Sequence, residues 1–99
     1  MIEKIKYLIL EGSYEIRFIK NFRRFQGLPI KGFIEPDTDT ILINSQLSDE
    51  EKIITIIHEF LHEIKPEWSE AKVEKTSQEI FQTLKPQDQN FFQRIIITK

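Results

Sequence analysis

The spacing of apolar residues in the first 30 positions predicts a strand followed by a helix. Residues 5–10 form a short run of apolar, β-prone side chains, which a Glu-Gly-Ser sequence ends. After Ser13, a good helix N-cap, apolar residues recur at helical spacing, so we predict an amphipathic helix. Its apolar face would consist of Tyr14, Phe18, Ile19, Phe22 and Phe25. The alternative is a hairpin in which the first strand continues through Tyr14, Ile16 and Phe18.

Two further apolar runs predict a β-hairpin. Gly27 and Pro29 are expected to end the preceding helix. Residues 30–35 and 40–44 then have the length and composition of short strands. The four residues between them read Pro-Asp-Thr-Asp, which is typical of a turn. The two runs are therefore predicted to pair with each other.

A longer periodic segment predicts a helix that begins after Ser48. Ser48 and Glu51 have the spacing of a capping box, which satisfies free amide groups at a helix N-terminus. The apolar stripe of this helix contains Ile53, Ile57, Phe60, Leu61 and Ile64. At about 100° per residue, His58 and His62 lie away from the middle of that stripe, so they are expected to face solvent or a cleft. Pro66 is expected to end the helix.

A second helix and an apolar tail complete the predicted elements. Ser69 is expected to cap a helix that runs to about Leu84. The short connection predicts that the two helices are antiparallel neighbours. The tail after Pro86 is apolar and must be buried, either extended in a groove or as a short helix. The apolar face of that helix would contain Phe91, Phe92, Ile95 and Ile96.

Composition indicates one small globular domain. The chain has 99 residues, of which 39% are hydrophobic and 30% charged, and its net charge is −2. This charge gives no electrostatic reason to expect nucleic-acid binding. The absence of cysteine excludes disulfides and thiolate metal ligands. No apolar run approaches the ~20 residues of a membrane span, and the N-terminus is too charged and too short for a signal peptide, so we expect a cytoplasmic protein.

The chemistry of the chain is concentrated in the sequence His58-Glu59-Phe60-Leu61-His62, an H-E-x-x-H pattern. On a helix, residues four apart share a face, so the two imidazoles can bind one zinc ion. Glu59 then lies where a general base is needed. The chain has only two histidines, so a chance match is rare, although two histidines on a solvated helix face would be the ordinary alternative.

A third zinc ligand is expected from the second helix. An acid in the first turns of an antiparallel neighbour returns toward His62. Glu70 is our first candidate, Glu74 the second, and Glu67 in the connection the third. Ordinary surface acids are the alternative, because this helix is rich in acidic residues.

With this motif, a strand pair before it and Glu70 after it, the chain resembles the gluzincin metallopeptidases, and its length makes it similar to the minigluzincins. The resemblance implies an α+β fold: a small three-stranded sheet with a backing helix, an active-site helix that carries H-E-x-x-H, and a glutamate helix. It implies His58, His62 and Glu70 as ligands of one Zn²⁺ and Glu59 as general base. The membrane enzymes that this family resembles typically have an Asp four residues after the ligand Glu, and this chain has Glu74 at that position.

The resemblance also implies substrate binding and latency. The Lys-Gly-Phe-Ile sequence at 31–34 falls where such enzymes place the edge strand that pairs with substrate. Known members look like zymogens, in which the C-terminal segment blocks the cleft or is exchanged between two molecules. We therefore predict a catalytic domain at 1–85 and an inhibitory or dimer-forming segment at 86–99.

The predicted function is that of a zinc-dependent endopeptidase, latent at full length, acting on peptides or proteins. No third His is present to stabilise an oxyanion, which also favours low activity. The alternative is a small non-catalytic interaction module whose metal is structural or absent.

Overall fold

The fold combines one small sheet with four helices, as described by a computed structural model that covers residues 1–23, 30–35 and 37–98. In chain order the elements are α1 (Ile2–Leu10), β1 (Glu15–Ile19), β2 (Gly32–Glu35), β3 (Thr40–Asn44), α2 (Asp49–Ile64), α3 (Glu70–Gln82) and α4 (Pro86–Thr98). The expected α+β fold with a three-stranded sheet is therefore confirmed. None of the described helices has the length and apolar character needed to cross a bilayer.

The sheet has β3 at its centre, with the strand order β1-β3-β2. β2 and β3 are antiparallel, with Ile34 opposite Ile41, so the predicted hairpin is confirmed. In its turn Asp39 has a φ of 48°, a left-handed conformation that Asp tolerates well. β1 pairs with the other side of β3 in parallel, with Ile16 opposite Ile41. β2 is therefore an edge strand among the described strands.

The structure corrects the predictions for the N-terminal third of the chain. Residues 5–10 are helical, because Ile2, Ile5 and Ile9 lie three and four residues apart and face the core, where Ile5 is fully buried. The predicted strand there is wrong, and so is a helix over residues 15–19. Ile16 and Phe18 instead alternate with exposed Glu and Arg along β1 and pack on the core.

The alternative interpretation of this region is thus half right. A strand does run through Ile16 and Phe18, but its partner is β3 and not the segment before it. Parallel pairing with a strand more than 20 residues away leaves no local signal in the sequence. The predictions that concerned Phe25, Gly27 and Pro29 lie outside the described residues.

The helix that carries the H-E-x-x-H pattern, α2, lies at the centre of the described elements. It contacts β2 and β3 on the sheet, and α3 and α4. Both Phe60 and Leu61 are fully buried, which fixes the helix against the core. Its N-terminus is capped as predicted, because Ser48 Oγ accepts a hydrogen bond from the Glu51 amide at 3.2 Å. Ser69 Oγ caps α3 in the same way, through the Lys72 amide.

The C-terminal segment is a helix, so of the two predicted forms the helical one is confirmed. Phe92 of α4 is fully buried in the common core. Asp88, whose side chain is also buried, accepts a hydrogen bond from Lys6 Nζ of α1 at 2.7 Å. This hydrogen bond raises the pKa of the Lys6 ammonium above its usual value. In the described molecule α4 is therefore part of the core and not a loose extension.

Candidate metal centre

The two histidines lie on the side of α2 that turns away from the hydrophobic core. Their neighbours Ile57 and Phe60 are fully buried, whereas the His58 side chain is 12% exposed and that of His62 33% exposed. This difference follows from the helical period, since the histidines flank the apolar stripe. Both rings therefore present nitrogen atoms to a space between α2 and α3.

Three ligand-type atoms converge in that space. The Nε2 atoms of His58 and His62 are 3.2 Å apart. Glu70 brings one carboxylate oxygen to 2.8 Å from His58 Nε2 and the other to 2.9 Å from His62 Nε2. One atom from each of the three residues lies within 4.8 Å of the others. The structure thus brings His58, His62 and Glu70 together at one point.

The position of Glu70 follows from the helix pair. Residues 65–69 connect α2 to α3, and Ser69 caps the second helix so that Glu70 stands in its first turn. An acid is favourable there, because it faces the positive end of the helix dipole. His62 contacts Glu70 and His58 contacts Glu74, so the contacts run in opposite directions along the two helices. The helices are therefore antiparallel.

The donor set and its spacing fit a small tetrahedral cation. Zinc prefers imidazole nitrogen and carboxylate oxygen, and bond lengths of about 2.0–2.1 Å place neighbouring ligand atoms about 3.3–3.4 Å apart. The observed separations of 2.8–3.2 Å are slightly shorter. The two separations between histidine and Glu70, 2.8 and 2.9 Å, also lie in the range of charge-assisted hydrogen bonds between a protonated His and a carboxylate. The three residues can therefore hold one metal ion.

Glu74 plays a different part from Glu70. Its Oε2 lies 2.9 Å from Nδ1 of His58, on the side of the ring away from the three-atom cluster. A proton on Nδ1 that Glu74 accepts leaves the Nε2 lone pair of His58 free to bind a cation. Gln78 in turn donates from its Nε2 to Glu74 Oε1 at 3.2 Å. Glu74 is thus placed to orient His58. Glu67, the third candidate ligand, is exposed and does not belong to the cluster of His58, His62 and Glu70.

Glu74→Ala is expected to weaken zinc binding by about 10- to 100-fold, because partners that orient a ligand histidine contribute that much to metal affinity. The measurement is a zinc titration in competition with a chromophoric chelator. Glu79→Ala is the matched control, since Glu79 is an exposed acid on the same helix that does not line the cleft. Equal zinc affinity in both variants would contradict the orienting role.

Glu59 lies beside the cluster, and its side chain is half-buried. Burial raises the pKa of its carboxyl group to about 7, and the nearby Glu70 carboxylate adds to the rise, while His58 acts in the opposite direction. A carboxyl group with a pKa near neutrality can both accept and return a proton. A cation bound to the cluster would lower this pKa, because it stabilises the carboxylate form.

The cluster opens into a cleft of about 380 Å³. The described residues that line it come from the start of β2, from α2 and from α3: Ile30, Lys31, Gly32, Glu51, Ile54, Thr55, His58, Glu59, Glu70, Glu74 and Gln78. The cleft therefore extends from His58 toward the N-terminus of α2. No described residue of α4 is among the lining, so blocking of the cleft by this segment stays a prediction, as does its exchange between two molecules.

Gln78 was not predicted as a lining residue, and Gly32 was predicted only as part of the substrate-pairing strand at 31–34, although both positions have a more specific signal in the sequence. Gln78 stands four residues after Glu74, the spacing at which helical side chains meet. Gly32 stands inside a predicted strand, where glycine often marks a close approach of two backbones. The described lining contains no Tyr or Arg that could stabilise an oxyanion. The one Lys in the described lining is Lys31, whose Nζ lies 3.8 Å from Oε1 of Glu51.

No family model matches the chain, and no match was found among curated proteins or solved structures. The likeness to the minigluzincins therefore rests on the motif at 58–62, on Glu70 and on the layout of the elements, and it stays a prediction.

Proposed function

We propose that this protein is a zinc-dependent endopeptidase. The observation that carries the proposal is the convergence of His58 Nε2, His62 Nε2 and a Glu70 oxygen within 4.8 Å, with the half-buried carboxyl of Glu59 beside them in one cleft. Two histidines and a carboxylate are a ligand set typical of catalytic zinc, because three protein ligands leave a fourth position open to substrate.

The chain's own residues supply the proton transfers. When bound, zinc acts as a Lewis acid that polarises a carbonyl and lowers the pKa of water to about 7. Glu59 accepts a proton from the attacking water as its oxygen adds to the scissile carbonyl carbon. The same carboxyl then donates this proton to the amide nitrogen as the C–N bond breaks, so the base is regenerated. Glu74 keeps His58 in the tautomer that the ligand role requires.

The substrate would be an extended peptide held along β2. This strand has a free edge among the described strands, and its first residue lines the cleft next to Glu59. Backbone hydrogen bonds to such an edge recognise peptides with little regard to sequence. The absence of an oxyanion stabiliser from the described lining supports low activity in the full-length chain. A regulatory role of α4, as a zymogen segment or through a homodimer, remains part of the proposal.

The test is a zinc titration of the full-length, metal-stripped protein, followed by incubation with a mixture of unstructured peptides. We expect one zinc per chain and slow peptide cleavage that a chelator abolishes. Zinc binding without cleavage would leave a non-catalytic module with a structural metal, and the absence of zinc binding would remove the proposal. Deletion of residues 86–99 is a poor test of latency, because it also removes the fully buried Phe92 from the core.

A further inference from the structure

We propose that Gly32 is a positioning residue for Glu59, and that it acts through a contact between β2 and α2 in which Thr55 is the partner. The inference rests on the proposed function, since it assigns a role in the same reaction. Its basis is steric: the backbone of β2 passes so close to α2 that only glycine fits at this point.

The space at Gly32 is filled on three sides. A Cβ atom built on Gly32 would lie 2.5 Å from Cγ2 of Thr55, 3.2 Å from the carbonyl oxygen of Leu42 and 3.4 Å from Cγ of Glu59. Non-bonded carbon atoms favour separations of about 3.5–4.0 Å, so the first of these contacts cannot exist without movement. The φ angle of Gly32 is not in the left-handed region, so the requirement for glycine comes from space and not from conformation.

The neighbours of Gly32 have little freedom to move. Thr55 is 5% exposed, and its Oγ1 donates to the Glu51 carbonyl at 2.7 Å, which fixes the direction of its methyl group. The Leu42 carbonyl belongs to the central strand of the sheet. On the other side of α2, Phe60 is fully buried in the core. An added methyl group must therefore displace Thr55 or push β2 and α2 apart, because only these movements relieve the contact with Cγ2 of Thr55.

Glu59 depends on this contact because it shares a helix face with Thr55. The two residues are four apart on α2, so both project toward Gly32. A Cβ atom at Gly32 would just touch the stem of Glu59, so this side chain lies next to the β2 backbone in the cleft. A displacement of about 1 Å in a reacting group can cost about 100-fold in rate. The close packing at Gly32 is therefore expected to act on catalysis through Glu59, and not through the metal ligands.

The experiment compares Gly32→Ala, Thr55→Ser and the double variant with the wild type. Serine at position 55 removes the methyl group that would clash and keeps the hydroxyl that donates to Glu51. We expect Gly32→Ala to lower kcat by about 10- to 100-fold, with KM and zinc affinity changed less than about threefold. Because the clash is relieved, the double variant should recover most of kcat relative to Thr55→Ser alone. The recovery is incomplete because the contact with Leu42 remains.

A binding measurement gives a readout besides activity. Acetohydroxamic acid is the probe, since its hydroxyl proton would be accepted by Glu59 when its oxygens bind the metal. Its affinity for the zinc-loaded protein should fall in Gly32→Ala and return in the double variant. If Gly32→Ala does not fold, the double variant decides: it should fold and keep most of the kcat of Thr55→Ser, and an unfolded double variant would overturn the inference.

The outcomes separate this inference from the proposed function. A wild type that cleaves peptides, with a Gly32→Ala variant of equal kcat, would overturn the role of Gly32 alone. The same holds if Thr55→Ser fails to restore kcat in the double variant. A wild type that binds no zinc, or binds it without cleaving peptides, would overturn the endopeptidase and with it the positioning role.

Discussion

Glu59→Gln is expected to lower kcat for peptide cleavage by about 10²- to 10⁴-fold while one zinc ion stays bound. Glutamine has nearly the same shape as glutamate, so it fills the same space between Gly32 and His58. It cannot accept and return a proton, and that is the role proposed for this carboxyl group. Glu59 does not belong to the cluster of His58, His62 and Glu70, so the number of zinc ions bound per chain should not change. The measurement is kcat at saturating substrate with zinc content determined on the same samples.

The matched control for this substitution is Glu63→Gln on the same helix. Glu63 lies four residues after Glu59, is exposed, and accepts a hydrogen bond from the hydroxyl of Tyr14, away from the lining of the cleft. Its replacement should leave kcat within about twofold of the wild type, as surface changes far from a site usually do. If Glu59→Gln were as active as this control, the proton acceptor would have to be another group, and the proposed mechanism would fail.

The cleft gathers more negative than positive charge, and this imbalance supports a cation at its centre. The carboxyl groups of Glu59, Glu70 and Glu74 all line it, and the raised pKa of Glu59 reflects burial and its proximity to Glu70. Several carboxyl groups held together destabilise one another unless protons or a cation compensate. A doubly charged ion between the two histidines would do so. The charge balance of the cleft therefore agrees with the proposed metal site.

The parts of the fold that local sequence signals control were predictable. α2 and α3 each begin at a serine cap followed by an amphipathic stripe, and the β2–β3 hairpin has a turn of suitable residues. Antiparallel packing of the two helices then follows from their short connection. The N-terminal third was mispredicted because the pairing of β1 with β3 depends on residues far apart in the chain. A run such as residues 5–10 suits a strand and a helix alike, and tertiary packing decides between them.

The same distinction applies to the site. The spacing of His58 and His62 places both on one face of a helix. The short connection to the next helix brings Glu70 close to them, and both features can be read from the sequence. The contact of Gly32 with Thr55 depends instead on how closely a strand approaches a helix. That distance is set by side-chain packing throughout the core. A glycine inside a predicted strand indicates a close approach, but no local pattern identifies Thr55 as the partner.

His62→Ala is expected to abolish the stabilisation of the protein by zinc. A ligand that binds only the folded state at 100 times its Kd stabilises by about 2.7 kcal/mol. For a domain of this size the corresponding rise in Tm is roughly 10–20 °C. Removing one of three ligands should weaken binding enough to eliminate that rise at the same zinc concentration. The measurement is Tm by circular dichroism with zinc and with chelator.

The comparison in chelator is the internal control for this variant. The His62 side chain is 33% exposed and lies outside the apolar stripe of α2, so its loss should change the Tm of the metal-free protein by only a few degrees. Glu79→Ala should show the full zinc-dependent rise, because that acid is exposed and does not line the cleft. An equal rise in His62→Ala would mean that the ion binds elsewhere. If zinc in large excess over the protein does not raise the Tm of the wild type, then His58, His62 and Glu70 are held together by hydrogen bonds alone.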